Sequence, residues 1–158
     1  MKSKKDNIAE YILYLWQMED YLRAFPDQAG ATPELSELNE MMHREGIMES
    51  GHLQLAANAL SEMEELHSRL LDEDAMYRAA IMRLKPSLNL LKAKTDRPTM
   101  SDIEACLLLL YQIMLLHLQK REITPETASV QEQATRLLKF LSRTYQNPTP
   151  TLPSREGE

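Results

Sequence analysis

A chain of 158 residues suits one compact domain with a single substantial core, and its 43% hydrophobic and 27% charged residues set it apart from disordered sequences. Four glycines are too few turn formers for a sheet protein. A formal net charge of -6, with a sequence pI near 5.3, gives no general pull toward a phosphate backbone, so no nucleic-acid partner is expected.

The chain opens Met1-Lys2-Ser3-Lys4-Lys5 and continues with mixed charge, which is not the apolar core of a signal peptide. A first helix is predicted from about Asp6 to Phe25, where Pro26 and the Asp27–Gly30 loop stop it. Ile8, Ile12, Leu15 and Leu22 recur at three- and four-residue spacing, and Glu19 continues that stripe where an apolar side chain belongs. A buried, unpaired carboxylate is costly. Glu19 is therefore expected to hydrogen-bond a group from another helix, with His52 and His67 the leading candidates and a buried Tyr or Arg the alternative, or to open onto a wet ligand pocket. The same helix carries Tyr11, Tyr14, Trp16, Tyr21 and Phe25. Leu13 and Trp16 point away from the stripe, which suggests contact with a second layer or with another copy of the chain and nominates them as interface residues.

Thr32-Pro33 supplies an N-cap and a first-turn proline for a second helix, with Leu35, Leu38, Met41 and Met42 on its inner face, ending near Gly46. A third helix is expected from Ser50 to Leu71, with Leu53, Ala56, Leu60, Met63, His67 and Leu70 as its stripe. On that reading His52 and His67 both project inward, about 22 Å apart along the helix, too far to chelate one ion. Asp72-Glu73-Asp74 ends this helix and caps the next, unless the two form one long bent helix. The fourth helix, Ala75 to Lys94, contains Pro86, which should kink or divide it.

Ser101-Asp102-Ile103-Glu104 reads as a capping box in which Glu104 reaches back to the Ser101 N–H. The fifth helix, running to about Arg121, is apolar nearly all round and is expected to be the most enclosed element. Its Ala105–Leu118 run is broken by Gln112 and His117 and is shorter than a membrane span. Cys106, the lone cysteine, lies within it and reads as a buried structural thiol, compatible with a reducing compartment. Thr124-Pro125 opens the sixth helix, with Val130, Ala134, Leu137, Leu141 and Tyr145 inward and Arg136, Lys139 and Arg143 on a solvated side. The fold class is thus all-α: a single antiparallel bundle of five to six helices over residues 1–146, followed by a Pro-rich, disordered tail over residues 147–158.

Two Glu-x-x-His pairs, Glu40/His43 and Glu64/His67, resemble half of a di-iron ligand set, with Glu19 and Glu104 available for the remainder. Helical geometry turns Glu40 and His43 to solvent, and Glu104 already has a capping role. No metal and no cofactor are expected. A glycine-rich phosphate loop, a nucleophile elbow, HExxH and paired CxxC are all missing from the sequence, so no catalytic residue is nominated.

Four blocks in order, Ile8 through Asp20, Met41–Gly46 with Gly51–Gln54, Leu66-His67 with Leu70-Leu71, and Glu104–Cys106 through Leu118–Ile123, resemble an uncharacterised, all-helical bacterial domain-of-unknown-function family. The resemblance covers about residues 6–145. It departs around Asp72–Met76, where that pattern carries a proline-containing connection. It implies a helical fold and a cytoplasmic bacterial setting, and brings no activity or site residue with it. The expected function is a non-enzymatic helical protein-interaction module that forms a homodimer, with no membrane partner. The alternative is a small-molecule or metal-binding bundle, or an enzyme, using Glu19, His52 or His67.

Overall fold

The computed structural model describes residues 2–147. Among them are six α-helices and no strand: α1 (Ile8–Ala24), α2 (Pro33–Glu45), α3 (Gln54–Glu73), α4 (Ala75–Lys94), α5 (Asp102–Leu118) and α6 (Pro125–Gln146). The tail expected beyond Asn147 lies outside the described residues.

Local chemistry fixes the boundaries. Asn7, Thr32, Asp74, Ser101 and Thr124 each hold extended backbone and accept a hydrogen bond from the amide three residues on, so five of the six helices start on a side-chain cap. Gly46 ends α2 at φ 71, the left-handed region that a residue without Cβ enters freely, and its N–H closes onto His43 and Met42. Asp74 settles the break between α3 and α4 by capping Tyr77, which rules out one long bent helix.

Some expectations need correction. Helix α3 starts at Gln54, so His52 lies in the loop before it and not on its inner face. The buried positions of α3 are Ala56, Ala59, Met63, Leu66 and Leu70, which moves Leu60 and His67 to the edge of the stripe. Pro86 does not divide α4, although an interior proline costs a helix about 3 kcal/mol; packing of Ile81, Leu84 and Leu88 outweighs it. Ser101 caps α5, yet the Glu104 carboxylate pairs with Arg97 (2.8 Å) instead of reaching back. Nor is α5 the most enclosed element: it buries seven of its seventeen residues against eight of seventeen in α1. Its apolar run outlasts the chain's own covering, leaving Leu115 and Leu118 exposed.

The helices group into two compact units that divide within α3, after Glu62. In the first, α1 packs on α2 over a core that includes Ile8, Ile12, Leu15, Leu38 and Met42. In the second, α4, α5 and α6 pack on one another around Ile81, Leu84, Leu88, Ile103, Leu107 and Leu141. No helix of the described residues is long and apolar enough to cross a membrane.

Candidate functional site

In the first unit the apolar stripe of α1 delivers Glu19 into the interior, where it is only 1% exposed. The chain beyond Gly46 returns over α1, and Gly51 turns it at φ 100 so that the next residues meet this carboxylate. Glu19 Oε2 accepts the Leu53 N–H at 2.7 Å, and Oε1 sits 2.7 Å from His52 Nδ1. The His52 ring stacks on Trp16, centroids 4.9 Å apart and planes 23° from parallel. Arg23, one turn on, donates to Ile47 O at 2.8 Å and Gly51 O at 2.5 Å. Trp16, Glu19 and Arg23 recur at i, i+3 and i+7, so one face of α1 clamps the 47–53 loop.

The clamp also sets the chemistry of His52. A carboxylate at Nδ1 makes that nitrogen the donor, which leaves Nε2 as the free ring nitrogen. His52 is 44% exposed at its side chain, and among the described residues Nε2 has no hydrogen-bond partner.

In the second unit His67 Nδ1 lies 2.6 Å from the Tyr77 hydroxyl, the rings meeting edge to face. Burial raises the Tyr77 phenol, helped by charge at Cys106 and Asp102, so it keeps its proton and donates to Nδ1. Asp102, at the first turn of α5, takes Lys85 at 2.5 Å and Lys92 at 2.7 Å. Burial pushes its carboxyl up, but the hydrogen bonds and charges of the two lysines outweigh that and hold it below the usual range. Burial raises the Cys106 thiol to about 12, which makes it an unreactive core group.

Burial lowers the pKa of His67, opposed by the Asp102 charge and reinforced by that of Lys85. The unfolded chain then takes up a proton near 6.5 that the folded chain refuses. Stability should be full above pH 6.5 and fall as the pH drops below it. Urea midpoints measured from pH 7.5 to 5 should decline, and His67→Gln should flatten the decline. An unchanged slope in the variant would remove His67 as the cause.

Glu19 is thus buried and bonded to His52, as the interrupted stripe requires, while His67 serves Tyr77 in the other unit. Glu40 and His43 are exposed, and among the described residues no group of three or more His, Cys, Asp or Glu could hold a metal ion. Trp16 was nominated as an interface residue, but it is 5% exposed, covered within the chain by the His52 stack. Leu13 is half-buried.

Sequence reasoning missed two grooves along the α4–α6 pair. One, of about 390 Å³, lies between Met76, Tyr77 and Ala80 of α4 and Gln133, Leu137 and Phe140 of α6, with Asp74, Arg83 and Arg136 also lining it. The other, of about 380 Å³, is lined by Leu90, Leu91 and Lys94 of α4, Leu109, Ile113 and Leu116 of α5, and Glu126 and Val130 of α6. The available signal was the second row on α4, Met76, Ala80, Ser87 and Leu90, at helical spacing outside the Tyr77–Ile81–Leu84–Leu88 core stripe.

The chain belongs to a family described as a domain of unknown function (DUF4924), whose model matches residues 1–32 and 27–150. No curated protein and no solved structure matches it.

Proposed function

We propose that the protein is a non-enzymatic helical interaction module of the cytoplasm that associates with itself. The observation that carries this reading is the apolar surface left uncovered on the second unit, with Met76 84% and Leu90 66% exposed and Met82, Leu115, Leu118 and Phe140 also in water. Large apolar side chains gathered on one unit are stabilised when a partner removes them from water, at about 25 cal/mol per Å². A buried thiol at Cys106 suits a reducing compartment. Sedimentation velocity over a range of about 1 to 300 μM tests the reading on the concentration scale of weak dimers. The mean mass should climb from the 18.2 kDa of one chain toward twice that value. A constant monomer mass throughout would overturn it.

A second reading, a small-molecule or metal-binding site, is favoured by one feature: the partner-free Nε2 of His52, oriented by a buried carboxylate. Titration with zinc, followed at the His52 ring by NMR, tests it. Saturable shifts lost in His52→Ala would support the site, and uniform weak shifts at His43, His52 and His117 would dismiss it.

A further inference from the structure

We propose that the outer row of α1, with the start of α2, is a docking groove for an amphipathic helix of another protein, one that carries Lys and Arg beside its apolar face. The groove belongs to the first unit alone and needs no self-association of the chain.

Tyr14, Met18, Tyr21 and Phe25 recur at i, i+4, i+7 and i+11, so they form one row along α1. At 100° per residue this row lies roughly 100° round from the Ile8–Ile12–Leu15–Leu22 core stripe. It is also on the opposite side of α1 from Trp16 and Arg23, which hold the 47–53 loop. Neither the core nor that loop covers it. Tyr14, Met18 and Tyr21 are half-buried, while Phe25, whose ring centroid is 5.2 Å from that of Tyr21, is 52% exposed. Glu34 and Leu35, in the first turn of α2, form the other wall of a recess of about 370 Å³ over Tyr14, Met18 and Tyr21.

Length and composition suit a helix as the occupant. From Tyr14 to Phe25 the row runs about 17 Å, three turns, which matches the i, i+4 and i+7 anchors of a helix laid in a groove. Tyr, Phe and Met are also the side chains that interfaces favour, and the thioether of Met18 can reshape round a partner.

Charge decides which kind of helix. Residues 1–62 hold five Lys/Arg against eleven Asp/Glu, whereas residues 63–158 hold thirteen of each, so the whole formal charge of -6 falls on the unit that bears the groove. Glu34 lines the recess itself. Glu37, one turn further along α2, and Asp27, two residues after Phe25, are exposed and have no ion pair among the described residues. A second copy of this unit would bring the same excess of acid against it, and a phosphate backbone or an anionic lipid surface would be repelled. Lys and Arg flanking an apolar face are drawn in by this field, and the aromatic rings of the row attract cations as well.

The probe is a fluorescently labelled peptide of about 14 residues, with Leu on one face of a helix and Lys beside it, titrated by anisotropy with the full chain. Saturable binding in the micromolar range is expected, weakening as salt rises. Peptides with every Lys replaced by Glu, or every Leu by Ser, should bind at least about tenfold more weakly. Phe25→Ser, at a position already half in water, and Met18→Gln should each lower the affinity about five- to tenfold while the circular dichroism stays unchanged. Glu37→Lys should lower it at least about fivefold. Glu49→Lys, the same charge change on the loop across α1, should alter it less than about twofold. Failure of the basic peptide to bind, or equal binding of its acidic counterpart, would overturn the groove. So would Phe25→Ser and Met18→Gln both binding like the wild type, or equal losses from Glu37→Lys and Glu49→Lys, either of which would reduce the attraction to bulk charge.

Discussion

Glu19→Ala is expected to remove about 3 kcal/mol of folding stability, a large share of the 5–15 kcal/mol typical of a domain. Both carboxylate oxygens are engaged in the interior, and the losses differ on the two sides. The Leu53 N–H is buried and would be left with no acceptor, at a cost of about 1–3 kcal/mol. His52 is half in water, so it loses less. The alanine also leaves a cavity inside the α1 stripe, which adds to the deficit. Glu19→Gln should cost only about 1 kcal/mol. Its amide oxygen can still take the Leu53 N–H, and its NH₂ can donate to Nδ1 once His52 changes tautomer. Urea unfolding of the three proteins checks the order. Equal losses for Ala and Gln would mean that the negative charge, not the hydrogen-bond pattern, holds the loop.

Asp102→Ala should be at least as damaging, at roughly 3–4 kcal/mol, because it strands two cations. Lys92 is nearly buried, and Lys85 approaches the same carboxylate from one face of α4, seven residues earlier. Without Asp102 the two ammonium groups face each other with no counterion, and the first turn of α5 loses a favourable acid. Replacing Lys92 by Met in the same chain should recover part of the loss, since a buried pair exchanged for packed apolar groups is often neutral. Acid tests the same contact without mutation. The Asp102 contribution is present at neutral pH and should disappear only as the pH falls below the ordinary carboxylate value of 3.8, well below the window assigned to His67. A thermal melt in which Asp102→Ala matches the wild type within about 0.5 kcal/mol would contradict this role.

Helix positions were legible because each is written locally. Thr32-Pro33, Ser101 and Thr124-Pro125 announce starts by side-chain caps, and the 3.6-residue stripes identify the inner faces. Glu19 was legible for the same reason: one carboxylate in an otherwise apolar stripe implies a partner, and His52 was among the two named. What failed depended on tertiary context. Ser50–His52 stays out of α3 because Gly51, with φ 100, and Arg23, bonding Ile47 and Gly51, hold that stretch as a loop. No local pattern carries that information. Trp16 looked outward on the helical wheel, but the wheel takes no account of a returning loop whose histidine covers the indole. Asp102 was read only as part of a helix start, although Lys85 and Lys92, seven residues apart, already placed two cations on one side of α4. The enclosed reading of α5 failed because an apolar run reports what a helix needs covered, without saying which chain covers it.

The most direct test of the central claim, self-association through the second unit, is an isotope-filtered NOE experiment on a mixture of labelled and unlabelled chains, which reports only contacts between copies. Contacts between Met76, Leu90 or Phe140 of one copy and the second unit of the other are the expected result. Intermolecular contacts confined to α1 and α2, or none at a concentration where the protein sediments as a dimer, would contradict it.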